Sequence, residues 1–167
     1  EPTRATYVFC SMLLKLIKEK GPRLLAMAAD GPVEKLHRKQ LYPDYKVTRK
    51  PVPEDLPAQI KRIMQIVRAF GIPILQAEGY EADDVIATAV ERFRKDRDIV
   101  LISRDKDLDQ LLDGNVTLYD PMKDESFDAA AIEREKGYPP SKALDVQALM
   151  GDAIDNIPGI PGVGPKK

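Results

Sequence analysis

Apolar residues recur at helical spacing in long stretches of the chain and gather in short runs between them. From Ala5 to Glu19 the pattern places Val8, Met12, Leu16 and Ile17 on one side, and Gly21-Pro22 stops it, so the spacing predicts an amphipathic helix. Leu56 to Phe70 repeats the pattern through Ile60, Ile63, Met64, Val67 and Phe70. Leu24 to Ala29 is a short apolar run ending at Asp30-Gly31-Pro32, the signature of a buried strand entering a turn. Gly71 to Gln76, Ile99 to Ile102 and Val116 to Tyr119 read as further strands. Ala82 to Phe93 and Ser141 to Met150 read as helices, with a short one from Lys106 to Leu112. Residues 33–50 have weak periodicity and are closed by Pro51 and Pro53, and the chain finishes in a Gly/Pro-rich tail from Ile157 to Lys167.

Strands alternating with helices predict an α/β fold, with a mainly parallel central sheet flanked by helices on both faces. In such sheets the cleft lies beyond the carboxyl ends of the strands. Acidic residues fall at those ends. Asp30 follows the strand 24–29, Glu81, Asp83 and Asp84 follow 71–76, and Asp105 and Asp107 follow 99–102. Three segments far apart in sequence thereby deliver carboxylates to one edge of one sheet.

Composition narrows the setting. The 167 residues fit one domain, and a hydrophobic content of 43% suffices for a core. A formal net charge of −1 supplies no global field to select partners. Local charge is segregated instead. Lys35, Arg38, Lys39, Lys46, Arg49 and Lys50 stand against only Asp44, whereas Glu78 to Asp84 is acidic. That division suits a basic substrate grip beside an acidic metal centre, although ordinary solvated faces explain either run alone. The single Cys10 cannot staple the fold and fits a reducing cytosol. No apolar run approaches the roughly 18 residues of a membrane span, and no signal peptide is visible, so the expected location is cytoplasmic, without a membrane partner.

Helix capping is the plain alternative for Glu81, Asp83 and Asp84, since acids in a first helical turn contribute about 0.3–1 kcal/mol each. It covers one or two of the three and leaves unexplained why Asp30, Asp105 and Asp107 hold matching strand-end positions. Hard oxygen ligands, with His37 as the only histidine, point to Mg²⁺ or Mn²⁺ and away from zinc. So many carboxylates suit two metals about 3.5–4 Å apart, an arrangement that hydrolyses phosphodiesters.

Four segments carry a resemblance: Gly79 to Asp84 (GYEADD), Ser103 to Leu108 (SRDKDL), Gly151 to Gly159 (GDAIDNIPG) and Gly162 to Lys166 (GVGPK). Together they resemble the 5′ nuclease domain of bacterial DNA polymerase I, in the flap endonuclease and PIN-like group, and the likeness spans essentially the whole chain. The resemblance implies that Asp30, Glu81, Asp83, Asp84, Asp105, Asp107, Asp152 and Asp155 are metal-centre acids. Arg38, Tyr42, Tyr45, Lys46 and Arg49 match a segment leading into the family's helical arch. There Lys46 and Arg49 are expected to contact the scissile phosphate, and Arg38, Tyr42 and Tyr45 to bind DNA. Gly162, Gly164 and Lys166 match the hairpin of a helix–hairpin–helix motif, where K⁺ is often bound. A terminal Gly/Pro linker is the alternative for that stretch.

The implied organisation is a PIN-like nuclease core over 1–140 and a partial helix–hairpin–helix region over 141–167. The resemblance places Glu1-Pro2-Thr3 after the family's first strand, which carries an aspartate of the metal centre, so the chain reads as a fragment. Arg104 stands where the family has a small residue, and a cation there is expected to pair with Asp105 and compete with metal. The expected function is a metal-dependent 5′-3′ exonuclease and 5′-flap endonuclease of bacterial replication and repair, associated with the nucleoid. Its expected substrates are branched DNA and RNA-primer ends, and a polymerase domain is expected in the parent protein. The alternatives are a non-catalytic branched-DNA-binding fragment, a stand-alone flap endonuclease homologue and a PIN-like ribonuclease. The duplex-anchoring segments from Gly151 onward speak against the last.

Overall fold

The computed structural model describes residues 2–32 and 35–164. In chain order, the first half contains α1 (Arg4–Lys20), β1 (Met27–Ala28), α2 (His37–Leu41), α3 (Leu56–Ala69), β2 (Ile74–Leu75) and α4 (Ala82–Phe93). The second half contains β3 (Ile99–Ile102), a 3₁₀ segment (Lys106–Leu111), β4 (Val116–Asp120), β5 (Glu125–Phe127) and α5 (Ala129–Lys136). After these come a 3₁₀ turn (Pro140–Lys142), α6 (Ala143–Met150), β6 (Gly151–Asp152) and β7 (Ile157–Pro158).

The two long helices pack on each other. Leu13 and Leu16 of α1 and Ile63 and Val67 of α3 are buried, whereas Val8, Ile60 and Phe70 from the predicted stripes remain exposed. The contact is narrower than a full amphipathic face, so the outer members of each stripe stay outside it. No side chain next to the start of α1 caps it. Gln59, buried in α3, accepts hydrogen bonds at Oε1 from Ala5 N (2.8 Å) and Thr6 N (3.4 Å), which satisfies two otherwise orphaned helix-end donors. Gly21 closes α1 in the left-handed region, at φ 51°.

The α/β class with parallel strand pairing is present. β1 pairs with β2 in parallel, through Met27 with Ile74 and Ala28 with Leu75. β3 pairs with β4 in parallel, from Ile99 with Val116 to Ile102 with Tyr119. Among the described residues, these two pairs are not joined by a strand ladder. The strands predicted over 24–29 and 71–76 each shrink to two residues, because only their centres find a partner.

The β5 hairpin strand and α5 are absent from the sequence-based prediction. Asp120 makes the turn between β4 and β5 by accepting from Met122 N at 2.8 Å, and β5 then runs antiparallel to β4. Asp128 caps α5 through Ala131 N at 2.7 Å, and Gly137 ends it at φ 81°. Only Ile132 of α5 is buried, so the helix carries little apolar signal. The main core lies between α4, β3, β4 and α5, where Val90, Leu101, Leu108, Val116, Leu118 and Ile132 form one cluster. This packing fixes the ends of β3 and α4, from which the acidic residues project. No helix among the described residues is long and apolar enough to cross a membrane.

Candidate active site

Close backbone contact sets the first wall. Gly31 donates its N–H to Tyr80 O at 2.9 Å. A Cβ added at Gly31 would lie 2.6 Å from Ala77 O and 2.9 Å from Tyr80 O, so only glycine lets the two loops meet. Their contact brings Asp30, at the end of β1, to the start of α4, where its Oδ1 accepts from Ala82 N at 2.8 Å. Glu81 is the N-cap residue of α4, and Asp84 Oδ2 accepts from Glu81 N at 3.0 Å. Helix capping therefore does operate here, through Asp30 and Asp84.

Asp83 caps nothing. Its pKa is pushed up to about 6 by burial first, then by the charges of Asp105, Asp107, Glu81 and Asp30. Asp83 thus lies within electrostatic reach of the acids that follow β1, β2 and β3. Asp105 opens the 3₁₀ segment and accepts from Asp107 N at 3.0 Å. Burial also raises the pKa of Asp107; a hydrogen bond from Gln147 opposes the rise and neighbouring Asp105 adds to it.

A second set of acids is already neutralised. Arg38 grips Asp84 at 2.5 and 2.7 Å and reaches Glu81 at 3.1 Å. The Arg38 hydrogen bond holds the Asp84 carboxyl below its ordinary value. Lys46 pairs with Glu81 and lies 3.8 Å from Asp155. Arg49 donates to Asp155 at 2.5 Å. The Tyr45 hydroxyl lies 2.8 Å from Glu81 and 3.1 Å from Asp155, so its single proton is shared between two buried carboxylates. Burial, followed by the Glu81 hydrogen bond, drives the Tyr45 pKa upward and keeps the hydroxyl a donor. Lys46 adopts φ 60°, uncommon for a non-glycine residue, while its N–H donates to Asp155 O at 3.0 Å.

Asp152 forms a third group. Its Oδ2 accepts from Lys106 Nζ at 2.7 Å and lies 3.3 Å from Gln147 Nε2, while its Oδ1 accepts from Ile154 N at 2.9 Å. Burial alone would raise its pKa, but the Lys106 and backbone hydrogen bonds outweigh it and hold the carboxyl low. Tight turn geometry positions Asp152, because a Cβ on Gly151 would lie 2.3 Å from Gly159 N.

Of the predicted DNA-binding residues, Arg38 and Tyr45 face carboxylates, and Tyr42 lies at the surface end of α2 with its N–H on Arg38 O at 2.8 Å. Gly162 takes φ 81° in the turn where Val163 N donates to Ile160 O at 3.0 Å, and space around both Gly162 and Gly164 is open. Lys166 lies outside the described residues. Arg104 does not pair with Asp105 as expected. It turns to Glu135, with two contacts of 2.9 Å, and stacks over the Phe127 ring at 4.5 Å. β5 and α5 supply these partners, and neither element was foreseen. Sequence reasoning also missed Lys106 and Gln147. Lys106 stood in plain view between two acids, and Gln147 lies one helical turn before the Gly151-Asp152 pair.

Among the described residues, no three acidic, histidine or cysteine side chains have closed into a ready metal cage. The donor set still fits a hard divalent cation: it is made of carboxylate oxygens, and the charges of Asp105, Asp107, Glu81 and Asp30 disfavour ionised Asp83.

The family model described as 5′-3′ exonuclease, N-terminal resolvase-like domain, matches residues 1–137. A 5′-3′ exonuclease of Aquifex aeolicus is 45% identical over 166 residues, covering 99% of this chain and 57% of that protein. DNA polymerase I of Rhizobium leguminosarum is 42% identical over 173 residues, covering 99% of this chain and 17% of that protein. The chain therefore spans little more than half of the first relative and less than a fifth of the second. Among solved structures, a lysine-to-alanine mutant of T5 5′-exonuclease aligns with TM-score 0.80 at 25% identity, over 99% of this chain and 63% of that one. A bacteriophage T5 flap endonuclease in a pseudo-enzyme-product complex with DNA and metal ions aligns with TM-score 0.75 at 24% identity, over 99% of this chain and 64% of that one, and shares its fold.

Proposed function

The chain belongs to the 5′-3′ exonuclease family, N-terminal resolvase-like domain, and from that membership we propose that it forms the catalytic core of a divalent-metal-dependent 5′-3′ exonuclease and 5′-flap endonuclease. The observation that supports this reading is the Asp83 carboxyl, pushed up to about 6 by burial and then by the charges of Asp105, Asp107, Glu81 and Asp30. Asp83, with Asp30, Asp105 and Asp107, would hold Mg²⁺ or Mn²⁺, and Glu81, Asp84, Asp152 and Asp155 complete the acidic set around it. A metal held there would lower the pKa of a water so that hydroxide is available as the nucleophile at neutral pH, and would neutralise charge on the phosphate.

The chain's own residues do the rest. Lys46 and Arg49 sit on the 37–49 segment with Nζ and guanidinium against Glu81 and Asp155. A scissile phosphate offers those same cations an alternative anion, so they position it and stabilise its developing charge. Arg38 fixes Asp84 and Glu81 in place. Gly162 and Gly164 leave the backbone open to duplex phosphates, a sequence-independent grip that suits recognition of branched DNA by shape, with K⁺ at the hairpin. The division into a nuclease core over 1–140 and a hairpin region over 141–167 follows from these roles. RNA-primer ends and 5′ flaps are the proposed substrates, in the bacterial cytoplasm at the nucleoid. The DNA polymerase I relatives support a parent with a linked polymerase domain.

A labelled 5′-flap duplex incubated with Mg²⁺ tests the reading. Cleavage near the junction that EDTA abolishes, and that Asp83→Asn lowers by at least about a hundredfold, is expected. Flap binding without metal-dependent cleavage would instead support a binding module whose acids stay locked on Arg38, Lys46, Arg49 and Lys106.

A further inference from the structure

We propose that Gln147 is a positioning residue that orients the metal-binding acid Asp107 by tying it to Asp152, an inference that rests on the metal-centre reading above. Its side-chain amide nitrogen lies 2.9 Å from Asp107 Oδ1 and 3.3 Å from Asp152 Oδ2. An amide NH₂ carries two hydrogens and can donate one to each carboxylate. Asp107 comes from the 3₁₀ segment after β3 and Asp152 from β6; Lys106, the neighbour of Asp107, already ties the two segments through Asp152 Oδ2, and Gln147 adds the contact that reaches the Asp107 carboxylate itself. Two carboxylates brought together repel, and a neutral double donor joins them without adding a charge that would compete with a cation.

The amide also sorts the oxygens. Both Asp152 oxygens are committed, Oδ1 to Ile154 N and Oδ2 to Lys106 and Gln147. At Asp107 the Gln147 bond takes Oδ1 alone. Gln147 therefore leaves Asp107 one oxygen to offer a metal and holds Asp152 back as a support. Hydrogen-bond partners behind a ligating carboxylate typically govern metal affinity by 10–100-fold.

Isothermal titration with Mn²⁺ alone, on the purified chain, tests this without a nuclease assay. Wild type, Gln147→Ala, Gln147→Met and Asp83→Asn are compared, and unfolding of each is followed in EDTA. Gln147→Met keeps the side chain's length without its donor, so it decides the matter if Gln147→Ala fails to fold. The expected result is Mn²⁺ affinity weakened roughly tenfold or more in the Gln147 variants, with little change in their EDTA melting temperature. Mn²⁺ affinity equal to wild type in Gln147→Met overturns the positioning role and leaves the metal-centre reading standing. A wild-type chain that binds no Mn²⁺, or an Asp83→Asn variant that binds it unchanged, overturns both.

Discussion

Asp83 destabilises the folded, metal-free protein when it ionises. Its pKa rises from the ordinary 3.8 to about 6 because of burial and then its acidic neighbours. Between those two values the folded, metal-free protein holds more protons than the unfolded chain, so stability falls as pH rises through that window. Below about pH 4 both states are protonated and the penalty vanishes. Two units correspond to about 2.7 kcal/mol, and because the carboxyl is only partly buried the net penalty is closer to about 1 kcal/mol. Asp83→Asn is accordingly expected to raise the melting temperature in EDTA at pH 7.5 and to leave it unchanged near pH 3.5, even as it removes cleavage. A variant that melts lower than wild type at pH 7.5 would mean that Asp83 is a structural acid. Arg104 illustrates the opposite case. Its charge is spent on Glu135 and its plane on Phe127, so it stands away from the metal question despite its place beside Asp105.

At the scale of elements, the site depends on turns that admit no side chain. Gly151 ends α6 at φ 74°, and an added Cβ would sit 2.3 Å from Gly159 N and 2.5 Å from Ile157 O, both backbone atoms that cannot rotate away. Gly114, in the turn before β4, has open space around it. Gly151→Ala is therefore expected to cost about 2–4 kcal/mol in urea unfolding, from overpacking and left-handed strain together. Gly114→Ala is expected to stay within about 0.5 kcal/mol of wild type. Similar midpoints for the two would show that the 151–159 turn is loose enough to yield. The Gly/Pro punctuation of these turns was legible in sequence. Their closeness was not, because a glycine required by a neighbouring backbone looks the same as one required by its own φ.

Over the whole molecule, among the described residues, Arg38, Lys46, Arg49 and Lys106 pair with Asp84, Glu81, Asp155 and Asp152. A divalent ion that binds only the folded state stabilises it by mass action, about 2.7 kcal/mol at a hundred times its dissociation constant. Mg²⁺ is expected to raise the melting temperature of wild type and to leave Asp83→Asn unmoved. An equal rise in both would place the ion elsewhere.

The α/β alternation, the acids at the ends of β1, β2 and β3, and the ordered motifs of the nuclease family were all legible from the order of residues. These are local signals: a period of two or 3.6, a turn dipeptide, a spacing within one segment. Which acids are paired, and with what, was set only by folding. Tyr45 meets Asp155 across 110 residues, Arg49 meets the same acid across 106, and Gln59 caps α1 across 54. No periodicity records such pairings. The partner of a buried charge is set by which loops the packed core brings within about 3 Å, and that distance exists only once the chain has folded.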